Sequence, residues 1–130
     1  MAKKILVVDD DIDLQTQLSL QLRAAGYDVL TADGFSTAKA LMDESQPDLA
    51  ILDLMLEETD GGIKLAFFLK KKCPSLPIIM VSAVTSRSGL EFDTITEAEK
   101  AWIKADAFLA KPVRFEQLQR EMERLLSPAS

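Results

Sequence analysis

Four aspartates stand at positions 9, 10, 11 and 13, directly after the apolar run Ile5–Val8. Carboxylates crowded this way repel one another, and removing them from water is costly unless a positive charge sits among them. Another aspartate, Asp53, closes a second apolar run, "DLAILD" at 48–53. Ser82 stands at the end of a third, "LPIIMVSA" at 76–83, and Lys111 closes a fourth, "DAFLAK" at 106–111. The ligands on offer are oxygens, which suit a hard cation. Mg²⁺ fits, because it takes one or two carboxylates, keeps several waters and draws further ligands from a phosphate. Mg²⁺ and Lys111 together would neutralise a phosphoryl group, leaving Asp53 as a nucleophile toward phosphorus and an aspartyl phosphate as the product.

These side chains meet only if the runs that end in them lie side by side. "KKILVVD" (3–9), "DVLTA" (28–32), 48–53, 76–83 and 106–111 read as five strands, and the central ones are apolar on both faces. Between them the apolar residues recur at helical spacing. Leu14, Leu18, Leu22 and Ala25 mark a first helix stopped by Gly26, and Ala38, Leu41 and Met42 mark a second that ends before Pro47. Gly61-Gly62 opens a third carrying Ile63, Leu65, Ala66, Phe68 and Leu69, and a last helix shows Phe115, Leu118, Met122 and Leu125 on one face. Between Ser82 and Lys111 an irregular stretch from about 84 to 94 precedes an expected helix from about 96 to 105, where Thr96 and Glu99 form a capping-box pattern. Alternation of this kind predicts an α/β fold: a doubly wound, five-stranded parallel sheet in the order 2-1-3-4-5 with helices on both faces, flavodoxin-like. In such a sheet, sites form beyond the carboxyl ends of the strands, where the order reverses, between strands 1 and 3.

The bulk numbers narrow the function. A chain of 130 residues is expected to be one domain, 1–130, with its core at about 3–126. A net charge of −6 removes any general attraction to nucleic acid or an anionic membrane. One cysteine, Cys73, permits no disulfide framework, and the absence of histidine removes a Ser-His-Asp triad, histidine metal ligands and a histidine phosphocarrier. No apolar run has transmembrane length, and a cytoplasmic protein is expected.

"VVDD" closing strand 1, "LDLML…DG" around Asp53, "VSA" closing strand 4 and "KP" at 111–112 together resemble the receiver domain of two-component response regulators. The resemblance covers roughly 3 to 126. It implies that Asp53 accepts a phosphoryl group from the phosphohistidine of a sensor histidine kinase or phosphotransfer protein. It implies that Asp10 binds Mg²⁺ directly, Asp9 binds it through water, and the Met55 carbonyl completes the shell. Lys111 pairs with the phosphoryl oxygens, Ser82 hydrogen-bonds them and shifts, and Phe108 occupies the aromatic switch position. The Lys111–Pro112 bond is expected to be cis. Such a domain is not an enzyme beyond assisting its own phosphorylation and dephosphorylation. It acts on a downstream protein, and phosphorylation-dependent homodimers occur in the family. Met55 and Val84 flank the expected site and cannot orient a water by hydrogen bonds, so slow self-dephosphorylation is expected.

Three features depart from the pattern: Glu57 stands where proline is common, Phe108 lacks the usual tyrosine hydroxyl, and the Ser82–Lys111 segment is longer by roughly two helical turns. Glu57 and the long segment suit an alternative, a phospho-independent docking module on the same fold. A phosphatase of the haloacid dehalogenase type would need an aspartate where Met55 stands. A flavodoxin would need a hydroxyl- and glycine-rich loop where "DDDID" stands. Asp11 and Asp13 are expected to serve the start of the first helix rather than a metal.

Overall fold

The computed structural model describes residues 2–54, 56, 61–83, 105–111 and 113–126. Five strands, β1 (Lys4–Val8), β2 (Asp28–Ala32), β3 (Leu49–Asp53), β4 (Ile78–Ala83) and β5 (Ala107–Lys111), form one sheet. Its order is β2-β1-β3-β4-β5 and every neighbouring pair is parallel. The described helices are α1 (Ile12–Ala24), α2 (Phe35–Glu44), α3 (Gly61–Lys72) and α4 (Phe115–Leu126). The expected order and strand positions are both met, each boundary within two residues. The stretch from 84 to 94 and the expected helix up to residue 104 lie outside the described residues, as do Met55, Glu57, Trp102 and Pro112.

Because successive strand residues point to opposite faces, the sheet builds two cores. Leu6, Val8, Ala50, Leu52, Ile78 and Met80 pack beneath α2 and α3 with Ala38, Met42, Leu65, Ala66 and Leu69. Ile5, Val7, Leu49, Ile51, Ile79, Val81 and Leu109 pack beneath α1 and α4 with Leu18, Leu22, Leu118 and Met122. Burying one such Leu or Ile side chain fully contributes about 1.5–3 kcal/mol. Two-sided burial explains why β1 and β3 read as unbroken apolar runs rather than alternating ones.

The ends of α1 are set by local chemistry. Asp11 is the N-cap, its Oδ1 accepting from the backbone N–H groups of Asp13 and Leu14. At the other end Gly26, at φ +99°, donates its N–H to the Arg23 carbonyl while Tyr27 donates to Leu22. That pair of bonds turns the chain into β2 and needs a left-handed residue at 26. Ala25 is therefore an exposed C-cap, directly before the expected stop at Gly26.

The lysines ending α3 have structural partners. Lys70 Nζ lies 2.9 Å from Asp106 Oδ2, which also accepts from the Ile78 N–H at 2.8 Å, so one carboxylate ties α3, β4 and the entry to β5. Lys72 Nζ lies 2.5 Å from Asp43 Oδ1 and, by that hydrogen bond first and its charge second, holds the Asp43 carboxyl below its ordinary value. Both partners are exposed, so water screens the pair and its contribution to stability is small.

Candidate metal and phosphoryl site at the carboxyl ends of the strands

Only Asp9, Asp10 and Asp11 separate the end of β1 from the start of α1. The aspartates therefore sit on a tight bend at the rim of the sheet. Asp9 continues the face that carries Ile5 and Val7 and is 4% exposed. Asp53 ends β3 on the face of Leu49 and Ile51 and is 7% exposed. Lys111 ends β5 on the face of Leu109. Period-two alternation thus brings three charged side chains from three strands to one side of the rim.

Carboxylate oxygens of Asp9, Asp10 and Asp53 all lie within 4.8 Å of one another. Lys111 Nζ stands 3.3 Å from Asp9 Oδ2 and 3.6 Å from Asp53 Oδ2. At 3.6 Å the contact is an ion pair and not a hydrogen bond, so the ammonium is shared between the two carboxylates rather than committed to Asp53. Asp9 Oδ1 accepts the Asp11 N–H at 2.9 Å, so both Asp9 oxygens have partners. Asp10 is the exposed member of the three. Three carboxylates and one ammonium leave a formal charge of −2, which a divalent cation cancels. The donor set is all oxygen and fits a hard cation such as Mg²⁺.

The crowding carries a cost, and it predicts a trade-off. Asp10→Asn is expected to raise stability by about 1 kcal/mol in the presence of a chelator, because it removes like-charge repulsion at a functional site. The same change is expected to diminish the extra stability that Mg²⁺ confers on the unmodified chain. Urea denaturation with Mg²⁺ and with chelator measures both; an unchanged Mg²⁺ increment would remove Asp10 from the ligand set.

The link from β3 to α3 is equally tight. The Gly62 N–H donates to the Leu54 carbonyl at 3.0 Å, and the Leu56 N–H to the Asp53 carbonyl at 3.3 Å. A Cβ at Gly62 would lie 2.1 Å from the Asp53 carbonyl oxygen and 2.7 Å from Leu54 Cα. The first turn of α3 therefore rests on the backbone that carries Asp53, which only glycine permits.

Of the other expected site residues, Ser82 is buried on β4, one position beyond Val81, the register partner of Asp53. Its own partner is Ala110, and it continues the sheet face of Ile78 and Met80, opposite to that of Asp53. It approaches the rim from the other side. Phe108 pairs in register with Met80 and packs, half-buried, against the core under α2 and α3, below the rim rather than in it. The expected Met55 carbonyl ligand and the Lys111–Pro112 bond lie outside the described residues. One residue was not anticipated from the sequence. Gln15 on α1 donates from Nε2 to the Asp9 carbonyl at 3.0 Å and to the Ala32 carbonyl at 2.9 Å. Its signal was its place in the helical stripe with Leu18 and Leu22, where a polar side chain needs partners.

Known proteins resemble this chain in sequence and in fold. The alkaline phosphatase synthesis transcriptional regulatory protein PhoP of Bacillus subtilis is 38% identical over 112 residues, 86% of this chain and 43% of that protein. The phosphate regulon transcriptional regulatory protein PhoB of Pseudomonas aeruginosa is 34% identical over 128 residues, 97% of this chain and 52% of that protein. The chain thus spans about half the length of these curated relatives. The crystal structure of a putative response regulator from Chloroflexus aurantiacus superposes with a TM-score of 0.83 at 26% identity, covering 98% of this chain and 100% of that one. Among the described residues no helix is long and apolar enough to cross a membrane. Residues 5–123 match the family model for the response regulator receiver domain, and with the sheet order and the acidic rim already in view, the chain belongs to that family of two-component signalling domains.

Proposed function

We propose that the chain is a phosphorylation-controlled switch in which Asp53 accepts a phosphoryl group from the phosphohistidine of a sensor kinase or phosphotransfer protein. The observation that supports this most is the set of Asp9, Asp10 and Asp53 oxygens gathered within 4.8 Å around a shared lysine. An oxygen of Asp53 attacks phosphorus, the P–N bond to the donor imidazole breaks, and the departing nitrogen keeps the electron pair. Asp10 and Asp53, with Asp9 through water, would hold Mg²⁺, which when bound would supply charge neutralisation at the phosphoryl oxygens.

The chain's own groups do the rest. Lys111 exchanges part of its contact with Asp53 for a phosphoryl oxygen, which keeps an anion beside it throughout. The Ser82 hydroxyl donates to a second phosphoryl oxygen. Both lie on the edge half of the sheet, so their movement toward Asp53 shifts the β4–β5 rim. Phe108, packed beneath that rim, follows the vacated space and alters the surface offered to a downstream protein. The reading requires a kinase-side donor and an effector as partners, both in the cytoplasm.

Incubation with a small acyl phosphate, with Mg²⁺ or with a chelator, tests the reading by intact mass. One phosphoryl group per chain in the presence of Mg²⁺ only is the expected result. No incorporation in either condition would favour a phospho-independent docking module.

A further inference from the structure

We infer that Gln15 is a positioning residue for the acidic site: its side-chain amide clasps the carboxyl ends of β1 and β2 and so fixes the bend that presents Asp9 and Asp10. The inference rests on the cation-binding reading of that site, and its test separates the two.

The β1–β2 ladder runs from Lys4↔Asp28 to Val8↔Ala32. Its last bond is the Asp9 N–H to the Ala32 carbonyl at 3.1 Å. Beyond that point the chain leaves the sheet to begin α1, and among the described residues the ladders of β1 end at Val8, short of the Asp9 carbonyl. Gln15 supplies a donor there. Its Nε2 carries two hydrogens and has two carbonyl neighbours, Asp9 at 3.0 Å and Ala32 at 2.9 Å, so each hydrogen has an acceptor. Only the nitrogen side of the amide can face two carbonyls, which sets its orientation. The Ala32 carbonyl in turn accepts from both Asp9 and Gln15.

The clasp closes a short circuit. Asp11 caps α1, the Gln15 N–H donates to the Asp11 carbonyl at 3.0 Å, and the Gln15 amide returns to Asp9. Within that circuit lie Asp9, whose Oδ1 is held by the Asp11 N–H, and Asp10. Rotation of the Asp9–Asp10 peptide would break the clasp and that bond together. Residue type matters. Glutamate would aim oxygens at carbonyl oxygens. Methionine has the same length and no donor. Lysine or arginine would bring a cation beside the carboxylates. Groups that orient metal ligands in this way typically influence affinity by about 10–100-fold.

The test compares Gln15→Met with the unmodified full chain and with Met42→Ala, a core change under α2 far from the rim. The first arm is metal-free: amide hydrogen exchange followed by NMR. Exchange at the Asp9 and Asp11 N–H groups is expected to quicken by about tenfold or more in Gln15→Met, as local opening becomes easier. Met42→Ala should leave those two amides slow under conditions where it remains folded. The second arm titrates Mn²⁺ as a Mg²⁺ surrogate, read by electron paramagnetic resonance of the free ion. A loss of about tenfold in affinity is expected for Gln15→Met and none for Met42→Ala. Unchanged exchange at Asp9 and Asp11, or quickened exchange with wild-type Mn²⁺ affinity, would overturn the inference. If Asp10→Asn also binds Mn²⁺ as the unmodified chain does, the failure belongs to the site reading instead.

Discussion

Lys111→Met is expected to slow phosphoryl incorporation at Asp53 by about 10²–10³-fold, the loss typical when one preorganised charge-stabilising group is removed. Lys111 is the one cation described within ion-pair distance of both Asp9 and Asp53, and methionine keeps most of its length without the charge. The same substitution leaves two buried carboxylates facing each other. Removing one partner of a buried ion pair costs about 3–5 kcal/mol, and the 21% exposure of the lysine side chain places the expected loss near the bottom of that range. Mg²⁺ should restore much of it, because a cation added to the variant relieves more repulsion than one added to a site that already holds an ammonium. The stability increment from Mg²⁺ should therefore be larger in Lys111→Met than in the unmodified chain. Phosphorylation time courses and urea denaturation with and without Mg²⁺ measure the two effects. A variant labelled at the unmodified rate would exclude Lys111 from phosphoryl stabilisation.

Gly62→Ala is expected to be a severely damaging single-methyl change at the site. Its Cβ would fall 2.1 Å from the Asp53 carbonyl oxygen and 2.7 Å from Leu54 Cα, and both are backbone atoms that cannot rotate away. Either α3 lifts from the sheet or the end of β3 bends. Overpacking of this kind costs about 1–3 kcal/mol and more where backbone must move, so a loss of about 3 kcal/mol is expected. Gly26→Ala provides the contrast. A Cβ there meets nothing within 4 Å, and the cost is only the left-handed backbone at φ +99°, about 1 kcal/mol. Urea denaturation of the two variants separates close approach from backbone strain. Equal losses would mean that α3 can shift freely away from Asp53. The Gly62 variant should also lose Mg²⁺ affinity in its folded fraction, since the carbonyl that the methyl displaces belongs to the ligand-bearing residue itself.

Most of the site was legible because its parts lie at the ends of apolar runs. Two-sided burial makes β1, β3 and β4 unmistakable as strands, and a parallel sheet puts their carboxyl ends on one rim. Asp9, Asp53 and Lys111 needed nothing further, since their places in the runs set both position and face. Ser82 shows what linear order conceals. It stands at the same kind of terminus, yet the register carries it on the sheet face opposite to Asp53. Asp11 was legible as a cap because a carboxylate before a helix satisfies free N–H groups whatever the tertiary fold. Gly26 was legible as the stop of the first helix, and the bonds of Gly26 and Tyr27 end that helix at Ala24 with Ala25 as its C-cap. Gln15, by contrast, escaped notice. Its role depends on two carbonyls from separate strands, Asp9 and Ala32, that become neighbours only in the folded sheet.

The central claim is that Asp53 is the phosphoryl acceptor in a cation-dependent pocket. Peptide mapping by mass spectrometry, after reaction with a small acyl phosphate and Mg²⁺, tests it most directly when Asp53→Asn is treated in parallel. The account predicts label on the peptide that contains Asp53, lost on chelation and absent from Asp53→Asn. Label on Ser82 or on another carboxylate, or label on Asp53 of equal extent without Mg²⁺, would contradict it.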